Sequence, residues 1–443
     1  MHDCHGNVEE WTSDWYGGRY YEHSPGEDPT GPAEGVFKVS RGGSHSTEVY
    51  YLRSGNRMAN LPVERSWVQG FRVVATKDGQ HAAKPRGAVT AVGLPPVAAV
   101  GLGPANPPAE PSGSWNRNGS AFFLGPFQYV NIDNNTFGPL WNKHNHDPAL
   151  AVVPGSGDVI AVWFTTYIEP GREAALAIAT LKAGETVWGN TTSLYDPPDR
   201  CMCCPAMIAD DETGELILFS QQSPQAMYGN GIVLRHVSKD GGKTWTVQPV
   251  ESMDFYSLRH QPVETVILLQ NGMLLMPSDN GSDPAGTALH LSSDNGKTFV
   301  DPGGNIAGLH GAVSQLKNGS LLAFGRGADG PCPQAPSSYP VGCMAQSRSD
   351  TLGQSWVYCV SVFPAVHAGQ RETLLRLREG PLMMTGYANS NQKRKKHQNR
   401  SIYPDLLVAT ASGKTRPVFG LFAALSHDEG NNWSYRKLIS DNR

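Results

Sequence analysis

His146, Cys203, Arg259 with His260, His310, and Gln370 with Arg371 stand 11, 11, 13 and 12, 9, and 10 and 9 residues ahead of Gly157, Gly214, Gly272, Gly319 and Gly380. Each of those glycines punctuates an apolar run of hairpin length, so the seven residues fall where a first strand begins. Serine, threonine or an apolar residue is the ordinary occupant of such a position. A series of imidazoles and guanidiniums is instead a functional signal, because a guanidinium fork suits a carboxylate and a neutral imidazole can take a proton. In HNHDP, alternation along a strand puts His144 and His146 on one face and Asn145 and Asp147 on the other, either as a metal pair or hydrogen-bonded to structure. YIEPGRE adds Glu169, Arg172 and Glu173, with Arg172 reaching a substrate carboxylate or forming a surface salt bridge. DRCMCCP contains Arg200 and three cysteines, Cys201, Cys203 and Cys204, spaced too closely for a standard zinc site. A disulfide to a distant cysteine is the expectation there, and Cys332 and Cys343 look like partners of each other.

The elements that must position these residues follow from two interleaved repeats. The turn glycines are 57, 58, 47 and 61 residues apart. After each of the last four hairpins comes one copy of Ser-x-Asp-x-Gly-x-x-aromatic: Ser238 to Trp245, Ser292 to Phe299, Ser349 to Trp356 with Thr351 in place of Asp, and Ser426 to Trp433. In that frame the carboxylates of Asp240, Asp294 and Asp428 bond their own turn amides, the glycine takes positive φ, and the aromatic tucks the turn against a sheet. One hairpin plus one such turn makes a four-stranded unit, the blade of a propeller. Five are visible between about His146 and Lys437, and 116–145 can supply strands of another. Closure of the ring asks for six or seven blades. Either part of the last is missing, or a closing strand comes from the N-terminal part.

Residues 1–75 have a separate character, rich in Trp, Tyr and Arg. Between Ala75 and Ser114 the composition collapses to Ala, Gly, Pro and Val, as a linker over 76–115 would. The propeller then occupies 116–443. A net charge of -4 gives no reason to expect nucleic acid, and no apolar run is long enough to span a bilayer. Seven cysteines and seven Asn-x-Ser/Thr sequons lean towards a secreted glycoprotein, although the start MHDCHGN shows no signal peptide. The basic run Asn391 to Arg400 is either a grip for an acidic polymer or a solvated loop.

On Gly6, Asn7, Val8, Glu10 and Trp11, on Arg41 to Ser44, and on Gly70 to Val74, the first segment resembles the C-terminal end of the sulfatase-modifying-factor (formylglycine-generating) family. The resemblance implies a calcium loop in which Asn7 and Glu10 supply oxygens. The family's copper-binding cysteine pair falls at Ser44 and Val49, which implies no oxidase chemistry here. The four Ser-x-Asp-x-Gly turns, with HNHDPALAVV, EPGRE, DPPDR, GQRETLLRLREGPL and GLFAALSHDEGNNW, resemble the sialidase-like (BNR-repeat, Asp-box) family over 116–440. That implies an all-β, sialidase-like six- or seven-bladed β-propeller. It also implies a site for a terminal acidic glycan, the activity of an exo-alpha-sialidase, and no cofactor beyond calcium. Arg259, Arg326 and Arg371 would form the arginine triad, and Asp147 or Glu173 the acid or base. His144, Arg200, His260 and Gln370 would contact substrate. The family's early Arg-Ile-Pro motif is absent, as is its C-terminal Tyr region. Two alternatives stand beside the glycosidase: a uronic-acid lyase with His146 or His310 as base and arginine on the carboxylate, and a non-catalytic glycan- or protein-binding propeller.

Overall fold

The computed structural model describes residues 4–73 except 18–19, 36, 46, 48, 61 and 63–67, then 128–130. It also describes 144–440 except 167–173, 198–199, 224–230, 251–260, 281–285, 332–341, 367–370, 389–405 and 410–413. The chain forms two compact units, Met1–Asn106 and Pro107–Arg443.

The second unit is a series of antiparallel meanders. The first blade runs His144–Val152, Val159–Thr166, Ala175–Leu181 and Thr192–Tyr195. The second runs Cys201–Ala209, Leu216–Ser223, Ile232–Ser238 and Thr246–Pro249. In the third the inner strand is broken into Gln261–Pro262 and Ile267–Leu268, followed by Leu274–Asn280, Gly286–Ser292 and Asn305–Ala307. The fourth runs Leu309–Gln315, Leu321–Pro331, Gly342–Ser349 and Val357–Pro364. The fifth runs Thr373–Arg376, Leu382–Ala388, Gly420–Ser426 and Tyr435–Ser440, with a ribbon of Leu406–Ala409 and Thr415–Val418 beside it.

Middle strands are buried on both faces, because blade packs on blade there. Val159–Thr166 and Leu216–Ser223 are buried almost throughout. Phe219, Met276 and Phe299 belong to one core cluster of the second and third blades. Leu275, Leu289, Val313 and Leu321 share another between the third and fourth, and Phe324, Phe363, Phe422 and Trp433 a third between the fourth and fifth.

The Ser-x-Asp turns link the third strand to the fourth in the second to fifth blades. Asp240 Oδ1 accepts from Ser238 Oγ at 2.8 Å and from the amides of Lys243 and Thr244 at 3.0 and 2.9 Å, and its Oδ2 accepts from Thr244 Oγ1 at 2.6 Å. Those bonds, the Thr244 hydroxyl foremost, hold the carboxyl down to about 2. Asp294 repeats the pattern, and Asp428 repeats it with Asn432 in place of Thr. The glycines of these turns press on the preceding blade. A Cβ at Gly296 (φ 79°) would lie 2.4 Å from Phe219 Cζ, and one at Gly430 (φ 78°) 2.4 Å from Leu322 Cδ2. Arginines complete the fastening: Arg235 Nε donates to Asn295 O at 2.9 Å and Arg348 Nη2 to Glu429 O at 3.2 Å, each from one blade into the turn of the next.

The first unit is a sheet in the order Met58–Asn60, Lys38–Arg41, Glu9–Trp15, Gln69–Gly70, with the last pair parallel. Its buried Glu9 accepts from Ser40 Oγ at 2.8 Å and Asn60 Nδ2 at 3.3 Å. Ser44 is buried against Thr47, whereas Val49 is exposed. Asn7 is left-handed at φ 60°, and Glu10 is held bidentately by Arg72 at 2.9 and 2.6 Å.

Candidate functional site

Near the start of four of the five inner strands the backbone makes the same uncommon move. Asp147 (φ 62°), Cys204 (φ 59°), Glu264 (φ 56°) and His310 (φ 52°) are left-handed non-glycine residues at the start of the first to fourth inner strands. Each coincides with a slip in pairing: between His146 and Ala149, opposite Phe219 and Gln221, between the two halves of the third inner strand, and between Leu309 and Ala312. Such a bulge turns a side chain away from strict alternation. Asn145 does face the opposite side from its histidine neighbours, accepting from Trp163 Nε1 at 2.9 Å. Asp147 does not, because the bulge swings it round to the fifth blade.

There Arg371 Nη1 lies 2.6 Å from Asp147 Oδ1 and 3.7 Å from Glu264 Oε1, with 8 % of either carboxylate side chain exposed. Burial opposes the charge on Arg371, but Asp147 and Glu264 outweigh it and hold the guanidinium more firmly protonated than usual. Burial raises Glu264 to about 8, with Asp147 and Asp279 adding to the rise and Arg371 and Arg326 opposing it. Glu372, fully buried, is pushed well above the carboxylate range by burial and then by Glu264. His310 donates its amide to Asp279 Oδ1 at 2.7 Å, and its Nδ1 lies 2.8 Å from Asp279 Oδ2. Burial nonetheless lowers its pKa, Arg371 and Arg326 adding to the fall against Asp279, so the imidazole is neutral at pH 7. Burial, and then the Asp147 charge, raise Tyr129.

His144 and His146 do lie together, ring centroids 5.3 Å apart at 75°, beside Phe164. Arg326 pairs with Leu309 in the fourth blade, and its charge is felt at Glu264, His310 and Glu372. Arg200 is buried just ahead of the second inner strand. Glu169, Arg172, Glu173, Arg259, His260, Gln370 and the basic run 391–400 lie outside the described residues. Cys201, Cys203 and Cys204 are buried free thiols, contrary to the expected disulfide. They contact one another and neighbouring amides instead: Cys203 is pushed up by Cys201, Cys204 and burial, and Gln261 Nε2 donates to Cys204 Sγ at 3.0 Å. Cys343 is disulfide-bonded, and Cys332 lies outside the described residues. Among the described residues no group of three or more His, Cys, Asp or Glu is placed to hold a metal.

Glu264, Asp279 and Glu372 are the site groups that counting back from turn glycines missed. A tighter count finds the first: Asp147, Cys204, Glu264, His310 and Arg371 stand 10, 10, 8, 9 and 9 residues before their glycines.

Residues 157–443 match the family described as BNR repeat-like domain, and residues 1–77 the sulfatase-modifying factor enzyme 1-like domain. The N-terminal part is 43% identical over 74 residues to the serine/threonine-protein kinase pkn1 of Chlamydia caviae, covering 16% of this chain and 12% of that one. It is 42% identical over 76 residues to the formylglycine-generating enzyme of Streptomyces coelicolor, covering 16% and 24%. The chain thus spans a quarter or less of these relatives. Among solved structures, the NanB sialidase of Streptococcus pneumoniae aligns with TM-score 0.51 and 10% identity over 71% of this chain and 64% of that one. The Hadza microbial sialidase Hz136 aligns with TM-score 0.49 and 15% identity over 67% and 59%. At 10% identity the NanB likeness shows a sialidase-like propeller fold alone.

Proposed function

The chain belongs to the BNR repeat-like domain family, and from that premise we propose that it is a carbohydrate-active propeller, a glycosidase acting on a terminal acidic sugar. One observation carries the reading: two buried carboxyl groups, Asp147 and Glu264, lie 2.6 and 3.7 Å from one guanidinium. Glycoside hydrolysis needs a carboxyl that keeps its proton to give to the leaving oxygen, and a second, ionised carboxylate. Glu264, raised to about 8, is the proton donor at neutral pH. Asp147, 2.6 Å from Arg371, is the ionised partner, and Arg371 with Arg326 supplies the positive charge that an acidic sugar requires. Glycans ending in sialic or uronic acids, followed at once for released sugar and for ultraviolet absorbance, test this. Released sugar without new absorbance is the expected result.

A second reading, elimination from a uronic acid, is favoured by His310. Its imidazole is kept neutral by burial with Asp279 at Nδ1, as a base requires. New ultraviolet absorbance would select it. No signal with any glycan would leave a binding module. An extracellular or secretory setting suits each reading. For the N-terminal unit we propose no oxidase activity, since Ser44 and Val49 carry no thiol.

A further inference from the structure

One of the four Ser-x-Asp turns departs from the repeat, and the departure borders a cleft. Between Ser349 and Trp356 the box carboxylate is missing, Thr351 closes the turn in its place, and an acid stands one residue earlier, at Asp350. The other copies carry Lys239, Ser293 and His427 at that position. Asp350 is thus released from the turn-closing bonds that Asp240, Asp294 and Asp428 make. It lines instead a cleft of about 660 Å³, together with Leu352 and with the hairpin tips of the third and fourth blades at Gln270, Asn271, Gln315 and Asn318. Both tips are Asn-Gly turns at the same place in successive blades. The cleft lies at the far end of the inner strands from the axial site: at ~3.3 Å per residue, His310 to Gln315 alone spans roughly 16 Å.

The walls of the cleft are held by their own hydrogen bonds. Gln315 Oε1 accepts from Gln270 N at 2.7 Å and its Nε2 donates to Gly319 O at 3.0 Å, while Gln270 Nε2 donates to Leu316 O at 3.1 Å. Asn271 Oδ1 accepts from Met273 N at 3.1 Å, and Asn318 Oδ1 accepts from Ser320 N at 3.1 Å and from Ser320 Oγ at 2.7 Å. With these oxygens engaged inside their own turns, the two asparagines leave N–H donors to the cleft they line. Among the described residues nothing pairs with either Nδ2 or with the Asp350 carboxylate. We infer that this cleft is a second binding site, for a neutral sugar residue. Adjacent hydroxyls of a pyranose accept from the asparagine amides and donate to Asp350, and the C–H face of the ring covers the half-buried Leu352. None of the described residues that line the cleft is cationic, so an acidic sugar meets a carboxylate there and no counter-charge. The inference does not rest on the acidic-sugar reading of the axial site.

Ligand-observed NMR of the whole chain tests the site. The chain is made in a bacterial host so that the sequon at Asn318 carries no glycan, and it is titrated with methyl glucoside, methyl mannoside and methyl galactoside. N-acetylneuraminate serves as the anionic competitor. At least one neutral pyranoside should bind with a Kd of roughly a millimolar, as a single sugar on a few hydrogen bonds does, and N-acetylneuraminate should not displace it. Asp350→Ala removes the acceptor, and Asn318→Asp removes the donor while keeping the oxygen that Ser320 uses; each should weaken binding about tenfold or more. No binding of any of the three by the wild type, displacement by N-acetylneuraminate, or unchanged binding in either variant overturns the inference. Should Asn318→Asp fail to fold, Asp350→Ala decides alone, since its side chain bonds nothing in the turn. Neutral-sugar binding without turnover of any acidic glycan would end the glycosidase reading and leave this one standing; turnover without neutral-sugar binding does the reverse.

Discussion

Left-handed residues recur in two places in the propeller, and the two places use them for opposite ends. At the Ser-x-Asp turns the residue ahead of the equally left-handed motif glycine is Gly241, Asn295, Leu352 or Glu429; at the inner-strand starts they are Asp147, Cys204, Glu264 and His310. Glycine, asparagine, leucine and glutamate have no chemistry in common, so the turn itself requires no one side chain in that position, although Glu429 also accepts from Arg376 Nη2 at 2.6 Å and from the Lys317 amide of the fourth blade at 2.8 Å. The bonds that close the turn are made by neighbours, Ser238 and Asp240 or Ser292 and Asp294, within four residues. At the axis the side chain is the purpose of the bend, and its partners come from other blades, as Asp147 meets Arg371. A local motif can stabilise a backbone state that costs roughly 1–3 kcal/mol by itself. The axial bends are held only by the surrounding blades.

Breaking the axial pair is the largest test of that contrast. Arg371→Met should abolish turnover and lower stability by about 3–5 kcal/mol, since Asp147 is left as a buried, unpaired charge. Adding Asp147→Asn should restore much of the stability and none of the activity. Urea midpoints that are the same for the single and double variants would show that the pair is not buried as described. At the rim, Gly296→Ala demands both a positive φ and a Cβ 2.4 Å from Phe219 Cζ, and should cost about 2–3 kcal/mol. Its KM should stay at the wild-type value, because the turn bonds only its own blade and the preceding one.

Stability against pH separates the regions further. Glu264 has a folded-state value of about 8 against 4.5 for the free side chain. Its contribution is therefore complete below about pH 4.5 and is lost as pH rises through 8, at ~1.4 kcal/mol per unit. Denaturant midpoints at pH 5 and pH 8 should diverge more for the wild type than for Glu264→Gln; parallel shifts would mean the carboxyl is not kept protonated by burial. The rim gives the smallest effect. Thr351 stands where the other turns have Asp, and its hydroxyl accepts from Ser355 N at 2.9 Å while Gln354 N bonds the Thr351 carbonyl at 3.2 Å. Thr351→Asp should supply the missing acceptor and stabilise by about 0.5–1 kcal/mol, read as a rise in melting temperature.

Blade structure was legible in the residues because each of its causes is local. Apolar runs about Gly157, Gly214, Gly272, Gly319 and Gly380 specify hairpins, and Ser, Asp and Gly at fixed offsets specify the turns between third and fourth strands. The same counting located His146, His310 and Arg371 near the start of inner strands. It passed over Glu264, because the third inner strand is interrupted and the strand count from Gly272 lands on Arg259 and His260.

By itself, then, the sequence determined a chain of four-stranded units with a modified N-terminal neighbour, since hydrophobic periodicity and turn chemistry act over fewer than about ten residues. Tertiary structure alone decided that Asp147 leaves its strand face, that Arg371 arrives with Asp147 rather than free, that Asp279 meets His310, and that burial raises Glu264 and Glu372 above the usual carboxylate range. Those outcomes depend on burial and on charges brought from other blades, and burial is a property of the assembled blades.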